Sequence, residues 1–171
     1  MKFKLVFLAL LFSMCSNVTQ EASKEIRVVS LSTTHTEIIQ SLEAEETLIA
    51  VDSFSEVDFP VEVIDAYTVT AEELAPLNPD VVILAFDFNG IVEGLENQEI
   101  NYVLLPPAKN FEDVYSQIET IGSLVNKESE AFSTTRDMKI EINRILDNAN
   151  FGDTTVSVSY THLTLPTICS V

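Results

Sequence analysis

Four short apolar runs divide the chain, and turn-forming or polar residues separate them. They cover residues 26–31, 48–51, 80–85 and 101–105. Runs of this length that are rich in β-branched residues are typical of buried strands. We therefore predict four strands, of which DVVILA at 80–85 is the clearest.

Other apolar positions follow a helical period. Between residues 111 and 124, and again between 128 and 146, apolar side chains recur every three or four positions, which predicts two amphipathic helices. Shorter patterns predict helices over 71–77 and 91–96. Residues 52–70 show neither period and are predicted to be irregular.

The segment 26–51 contains a complete strand–helix–strand unit. Its first strand ends at a polar turn, residues 32–35, and Thr34 and Glu37 have the S/T-x-x-E spacing of a capping box. A right-handed crossover would make the two strands parallel neighbours. The polar turn would then lie at the carboxyl end of a strand, where open α/β sheets bind their ligands.

Strands and helices alternate along most of the chain. This order predicts an α/β fold, a parallel sheet with helices on both faces that ends in one long helix. Both faces of such a sheet are covered, which agrees with the nearly continuous apolar character of the runs.

The charge narrows the range of partners. The formal net charge is -18, and between Glu25 and Asn126 only Arg27 and Lys109 oppose twenty acidic residues. Nucleic-acid binding requires clustered Lys and Arg and is excluded. Two interpretations of the acidity stay open, a solvated surface and attraction of a cationic partner.

Both ends of the sequence differ from the middle. Residues 1–15, with Lys2 and Lys4 before an apolar block, predict an export signal that is too short to span a bilayer. Cys15 is a candidate for lipidation, and cleavage to a soluble exported protein is the alternative. Residues 160–171 carry no charge and are similar to translated sequencing-adapter read-through, so we leave His162 and Cys169 out of the functional argument.

Enzyme motifs are missing from the sequence. The four glycines form no G-x-G-x-x-G or G-x-x-x-x-G-K-[ST] loop, and no G-x-S-x-G elbow occurs. We therefore predict a protein with no catalytic residues and no cofactor.

Four segments, in order, carry a family resemblance. They are RVVSLSTTHTEII, the strand end IAVD, AEELAPLNPDVVIL and IETIGSLVNKESEA. Together they resemble the helical-backbone substrate-binding proteins of ABC importers for cobalamin, ferric siderophores and haem. Departures occur at Thr33, where proline is usual, at His35, an unusual insertion into the polar turn, and at Glu43, where glycine is usual.

The resemblance implies a domain organisation. It covers about residues 27–146, which correspond to the first lobe of a two-lobe protein and the helix that crosses to the second lobe. The expected divisions are a signal sequence at 1–15, a linker at 16–25, the N-terminal lobe at 26–126, the inter-lobe helix at 127–147, the start of a second lobe at 148–158 and a non-native tail at 159–171.

The resemblance also implies a ligand site on the loops that leave the strands of this lobe. Aromatic side chains there suit a large and partly apolar metal chelate. For His35, a capping or solvent-exposed position in the turn is favoured over metal ligation, so we predict no metal site. The candidate ligand-binding residues are Thr33, Thr34, His35, Ser53, Phe54, Tyr67, Phe86, Asp87 and Lys109.

A second contact is implied by Glu72, in the first turn of the helix that Thr70 is predicted to cap. It matches the acidic position through which the family's first lobe docks on basic residues of the membrane permease. The alternative is an acid that serves only the helix dipole.

These implications give an expected function. The protein would be a monomeric, extracytoplasmic component of an ABC importer that captures cobalamin or a ferric siderophore and delivers it to the permease. It would be attached to the membrane if Cys15 is lipidated. The main alternative is a surface lipoprotein that uses the same lobe as an interaction module, and a zinc- or manganese-binding relative is less favoured because His35 lacks His or Cys neighbours.

Overall fold

A central strand, β1, sets the layout of the chain in a computed structural model that describes residues 26–148. Five strands and five α-helices are present in this part of the chain. In chain order they are β1 (Val28–Leu31), α1 (Thr33–Ser41), β2 (Leu48–Asp52), β3 (Glu62–Ile64), α2 (Ala71–Leu74), β4 (Val81–Leu84), α3 (Ile91–Asn97), β5 (Tyr102–Leu104), α4 (Phe111–Leu124) and α5 (Glu128–Asn148).

The sheet has the order β3-β2-β1-β4-β5, and each pair of neighbouring strands is parallel. The chain therefore moves outwards from β1 on one side, returns, and continues outwards on the other side. This confirms the predicted parallel α/β sheet and places its topological switch point between β1 and β4.

Apolar side chains bury both faces of the sheet. On one face, Val28 and Ile83 pack with Ile39 of α1, Ile121 of α4 and Ala131 of α5. On the other, strand residues that include Val29 and Leu84 pack with α2 and α3, whose buried side chains are Ala71, Leu74, Ile91 and Leu95. The prediction of helices on both faces is confirmed.

The beginning of α1 differs from the prediction. The helix starts at Thr33 with Ser32 as its N-cap residue, and no side-chain cap bond is present, so the capping box of Thr34 and Glu37 was wrong. Instead the hydroxyl of Thr36 donates to Ser30 Oγ at 2.9 Å and ties the helix to β1. A capping box does occur at Thr70, whose Oγ1 accepts from the backbone N–H of Glu73 at 3.4 Å.

Strand β3 lies inside the segment predicted to be irregular. It has only three residues, it pairs with β2 alone, and Val63 at its centre is 61% exposed. A three-residue edge strand is too short to show either a buried apolar run or an alternation of apolar and polar residues. Its sequence therefore does not indicate a strand.

The turn after α1 explains the departure at Glu43. This residue has φ of 52°, in the left-handed region that glycine adopts without steric cost. Here a glutamate occupies that position, which costs roughly 1 kcal/mol relative to glycine.

Helices α4 and α5 pack closely at Gly122. A Cβ atom added there would lie 2.4 Å from Cβ of Ala131 and 3.1 Å from the carbonyl oxygen of Lys127. Lys127 N–H also donates to the Gly122 carbonyl at 2.7 Å, which fixes the turn between the helices. Glycine at this point of the motif IETIGSL is therefore a packing requirement.

His35 lies inside α1 and is only 2% exposed, so the expected solvent-exposed or capping position was wrong. Its Nδ1 has no hydrogen-bond partner among the described residues. Burial lowers the pKa of His35 from 6.5 to about 4, and a hydrogen bond to the backbone of Leu105 offsets part of this shift. The imidazole is therefore neutral at pH 7.

Over residues 26–148, every helix is either too short or too polar to cross a bilayer.

We expect Gly122→Ala to lower the free energy of unfolding by about 1–3 kcal/mol, because the new methyl group overpacks the α4–α5 contact. Ser123→Ala is the matched control, since this neighbouring side chain is exposed, and should change stability by less than about 0.5 kcal/mol. Urea unfolding followed by circular dichroism measures both. Equal midpoints for the two variants would contradict the packing role of Gly122.

We also expect a pH-dependent loss of stability that arises from His35. Because its pKa is lower in the folded protein than in the unfolded chain, the unfolded chain binds more protons between pH 6.5 and 4. The contribution of neutral His35 to the free energy of unfolding is therefore complete above pH 6.5. It decreases as the pH falls and is lost below pH 4, and the total decrease is about 3 kcal/mol. Urea unfolding of the wild type and His35→Leu across this range measures the difference, and parallel stability curves would refute the assignment.

Candidate ligand-binding cleft

An open cleft of about 230 Å³ lies at the carboxyl ends of the strands, at the switch point between β1 and β4. Leu31, Ala66 and Ala85 give it an apolar floor, and the start of α1 contributes hydroxyl groups. A complete small-molecule site occupies roughly 300–1,000 Å³, so this surface can hold only part of a chelate-sized ligand.

Four aromatic rings line one side of the cleft and form what we call the aromatic strip: Phe54, Tyr67, Phe88 and Phe86. The ring of Tyr67 meets Phe54 edge-on at 6.3 Å and Phe88 at 4.6 Å, and Phe86 contacts Phe88 at 5.2 Å between centroids. Three loops thus join in one apolar surface, and much of it faces solvent, since Phe54 is 67% and Phe86 49% exposed.

Asn89 positions the strip. Its Nδ2 donates to the Tyr67 carbonyl at 2.7 Å and ties the loop after β4 to the loop after β3. Asn89 and Gly90 both have positive φ, 53° and 73°, which turns the chain sharply after Phe88. Asparagine and glycine adopt this backbone conformation more readily than other residues.

Asp52 lies at the end of β2 and is 4% exposed. Its Oδ2 accepts from Thr33 Oγ1 at 3.4 Å and from the Phe54 N–H at 3.2 Å, and its Oδ1 accepts from the Ala66 N–H at 3.4 Å. This one carboxylate therefore connects α1 and two loops of the cleft. None of the Lys and Arg residues in the described range pairs with it.

Five of the nine candidate ligand-binding residues line the cleft: Thr33, Thr34, Phe54, Tyr67 and Phe86. The fold brings them together from the start of α1 and from three loops, as expected for residues that follow parallel strands. A binding role for them stays a prediction.

The other four candidates lie outside the cleft lining. His35 is buried within α1, and Ser53 extends the pairing with β3 by donating its N–H to the Ile64 carbonyl at 2.8 Å. Asp87 Oδ1 accepts from the Val92 N–H at 3.1 Å in the first turn of α3. The exposed Lys109 lies just before α4, and its backbone N–H donates to Asp113 at 2.8 Å.

The candidate residues omitted Asp52 and Phe88, which also line the cleft, as does Ser32 of the predicted polar turn. Asp52 could have been found, because it is the first polar residue after a predicted strand. Phe88 could not, since its place beside Tyr67 requires the loop after β3 to approach the loop after β4. Across the described residues, no cluster of three or more His, Cys, Asp or Glu side chains could hold a metal ion.

Several solved structures have the same fold. The haem-binding protein HutB of Vibrio cholerae has a TM-score of 0.67 and 23% identity, over 75% of this chain and 52% of its own. An ABC transporter substrate-binding protein of Listeria monocytogenes has a TM-score of 0.60 and 20% identity, over 73% and 50%. A protein of an Fe³⁺-hydroxamate transport system from Saccharomonospora viridis has a TM-score of 0.58 and 18% identity, over 71% and 50%.

The chain thus spans about half the length of these relatives. No curated protein matches its sequence with significance. The model of the periplasmic binding protein family, however, matches residues 28–162, most of the chain. With the parallel sheet and the open cleft at its switch point, this match shows that the chain belongs to the periplasmic binding protein family.

Proposed function

We propose that this chain is part of the substrate-binding component of an ABC importer, which captures a metal chelate outside the cytoplasmic membrane and delivers it to the permease. The observation that carries the proposal is an open aromatic cleft at the switch point of a periplasmic binding protein lobe. Cobalamin and ferric siderophores are the ligand classes that we propose.

The shape of the cleft supports a large ligand. The aromatic strip extends over four rings and offers a broad apolar surface with few rotatable bonds. Beside it, the hydroxyl groups of Ser32, Thr33 and Thr34 can bond to polar groups of a chelate.

The charge of the cleft favours a neutral or cationic chelate over an anionic one. Arg27 lies at the amino ends of the strands, on the side of the sheet away from the cleft. Its guanidinium donates there to the carbonyls of Leu77 and Asn78 at 2.7 and 3.1 Å. Lys109 is outside the cleft lining. A multiply charged anion would therefore meet the carboxylate of Asp52 without a compensating cation from this lobe.

We expect the full-length protein to bind cobalamin or a ferric trihydroxamate, and to bind a ferric tris-catecholate weakly. Tyr67→Ala should lower the affinity about tenfold or more, because it removes the central ring of the strip. Phe111→Ala is the matched control, since this ring is 58% exposed on α4 and outside the cleft.

Titration calorimetry with the three chelates measures these affinities. Tight binding of the catecholate alone would contradict the proposed ligand charge. Failure to bind any of the three would favour the alternative function, an interaction module without small-molecule transport.

We further propose that Glu72 contacts the permease. Glu72 and Glu73 both lie in the first turn of α2, but Glu73 is engaged in the capping box with Thr70, through a 2.9 Å bond from the Thr70 N–H. Glu72 is exposed and makes no hydrogen bond or ion pair with any described residue. Its carboxylate is therefore available to a basic partner surface.

We expect Glu72→Lys in the full-length protein to reduce chelate uptake at least about tenfold, while the affinity for the chelate stays unchanged. Glu112→Lys is the control, because Glu112 is also an exposed acid in the first turn of a helix, α4, and its reversal costs a similar 0.3–1 kcal/mol or so in helix stability. Uptake assays in cells and calorimetry on the purified variants separate the two effects. Wild-type uptake by Glu72→Lys would remove Glu72 from the docking surface.

A further inference from the structure

The cleft combines two features that usually serve the same kind of ligand. One is the aromatic strip, and the other is the carboxylate of Asp52 beside it. The lining contains no Lys, Arg or His. Aromatic faces and an acid without a basic partner together form an environment that attracts positive charge.

The strip presents electron-rich surface to the cleft. Its end rings, Phe54 and Phe86, are 67% and 49% exposed, and Tyr67 between them is 53% exposed. The planes of neighbouring rings are tilted by 41° and 44° at Phe88 and by 88° at Phe54, so the rings do not cover one another's faces by parallel stacking. Each ring face carries the negative lobe of its quadrupole, which attracts a cation within about 6 Å.

Asp52 contributes a carboxylate group to the lining beside this surface. Its three hydrogen-bond donors are a hydroxyl and two backbone N–H groups, all of them neutral. They satisfy the oxygen atoms without cancelling the charge, and an ionised carboxylate can accept about four such bonds. Asp52 lines the cleft with three of these positions filled, and a cationic donor binds a carboxylate about twice as strongly as a neutral one.

Acids on neighbouring loops strengthen the field. Asp65 directly follows β3 and accepts from the Tyr67 N–H at 2.9 Å, and Asp87 follows β4 and accepts from the Val92 N–H at 3.1 Å. Both side chains are exposed, and both follow the carboxyl ends of their strands. With Asp52, an acid lies at or just beyond the carboxyl end of three strands, β2, β3 and β4.

We propose that the aromatic strip and Asp52 bind a cationic group, such as a primary ammonium, carried by a chelate whose body is apolar or neutral. This inference rests on the proposed function and makes it more specific. The positive charge of the ligand, and not only its apolar area, then determines whether this lobe binds it. The cationic group contacts the aromatic rings through cation–π interactions and the carboxylate of Asp52 through hydrogen bonds.

A pair of ligands isolates the charge. One is a ferric trihydroxamate with a free primary ammonium group, and the other is the same chelate with that amine acetylated, which removes the charge and leaves the metal centre unchanged. We expect the full-length protein to bind the ammonium form about tenfold more tightly by titration calorimetry at neutral pH.

Variants isolate the strip. Phe54→Leu and Phe86→Leu keep an apolar side chain but remove the ring, so each should lower the affinity for the ammonium form about three- to tenfold more than the affinity for the acetylated form. Phe111→Leu, on α4 and outside the cleft, is the matched control. Asp52→Asn should reduce the same preference, with circular dichroism confirming that the variant is folded.

Each outcome decides between the two proposals. Equal affinity for the two chelates, or equal losses for both in the leucine variants, would overturn the cationic preference and leave chelate binding in place. If neither trihydroxamate binds and cobalamin binds, the cationic preference is wrong while the importer function stands. If no chelate binds, both proposals fail.

Discussion

Strand β1 lies between β2 and β4, and both its faces are buried, so the rest of the lobe is built around it. Its residues pair in parallel with both neighbours. The sheet grows through β2 to β3 on one side of β1 and through β4 to β5 on the other side. The loops that follow β1 and β4 must therefore diverge, since α1 covers one face of the sheet and α3 covers the other. The cleft is a consequence of this divergence. Thr33 and Thr34, after β1, and Phe86, after β4, lie in the two diverging segments and line the cleft.

Much of the fold could be predicted because burial leaves a strong pattern in the sequence. The runs that became β1, β2, β4 and β5 are apolar because both faces of the sheet are covered, and α4 was predicted with the bounds it has. The three-residue edge strand β3 leaves no such pattern, because its side chains are largely exposed. The start of α1 was predicted wrongly for a different reason. Thr36 of α1 bonds to Ser30 of β1, and the capping-box pattern does not include this contact between a helix and a strand.

The candidate site was predicted less completely than the fold. Position after a parallel strand was enough to find Thr33, Thr34, Phe54, Tyr67 and Phe86, all of which line the cleft. It was not enough for His35, because one residue of rotation around a helix decides whether a side chain faces the cleft or the core. Phe88 meets Tyr67 where Asn89 donates to the Tyr67 carbonyl, and this contact joins residues 22 positions apart, so local sequence does not predict it.

Asp52 connects the order of the cleft with the ligand charge that we propose for it. A carboxylate with three neutral donors can order three segments of the cleft before any ligand arrives, so less conformational entropy is lost on binding. Had a lysine or arginine supplied those bonds, the segments would be equally ordered, but the charge would be neutralised within the protein. Because the donors are backbone N–H groups and a threonine hydroxyl, no cationic side chain of the described residues offsets this carboxylate within the cleft lining. The same choice of partners that holds the loops in place therefore also determines the sign of the charge that a ligand meets.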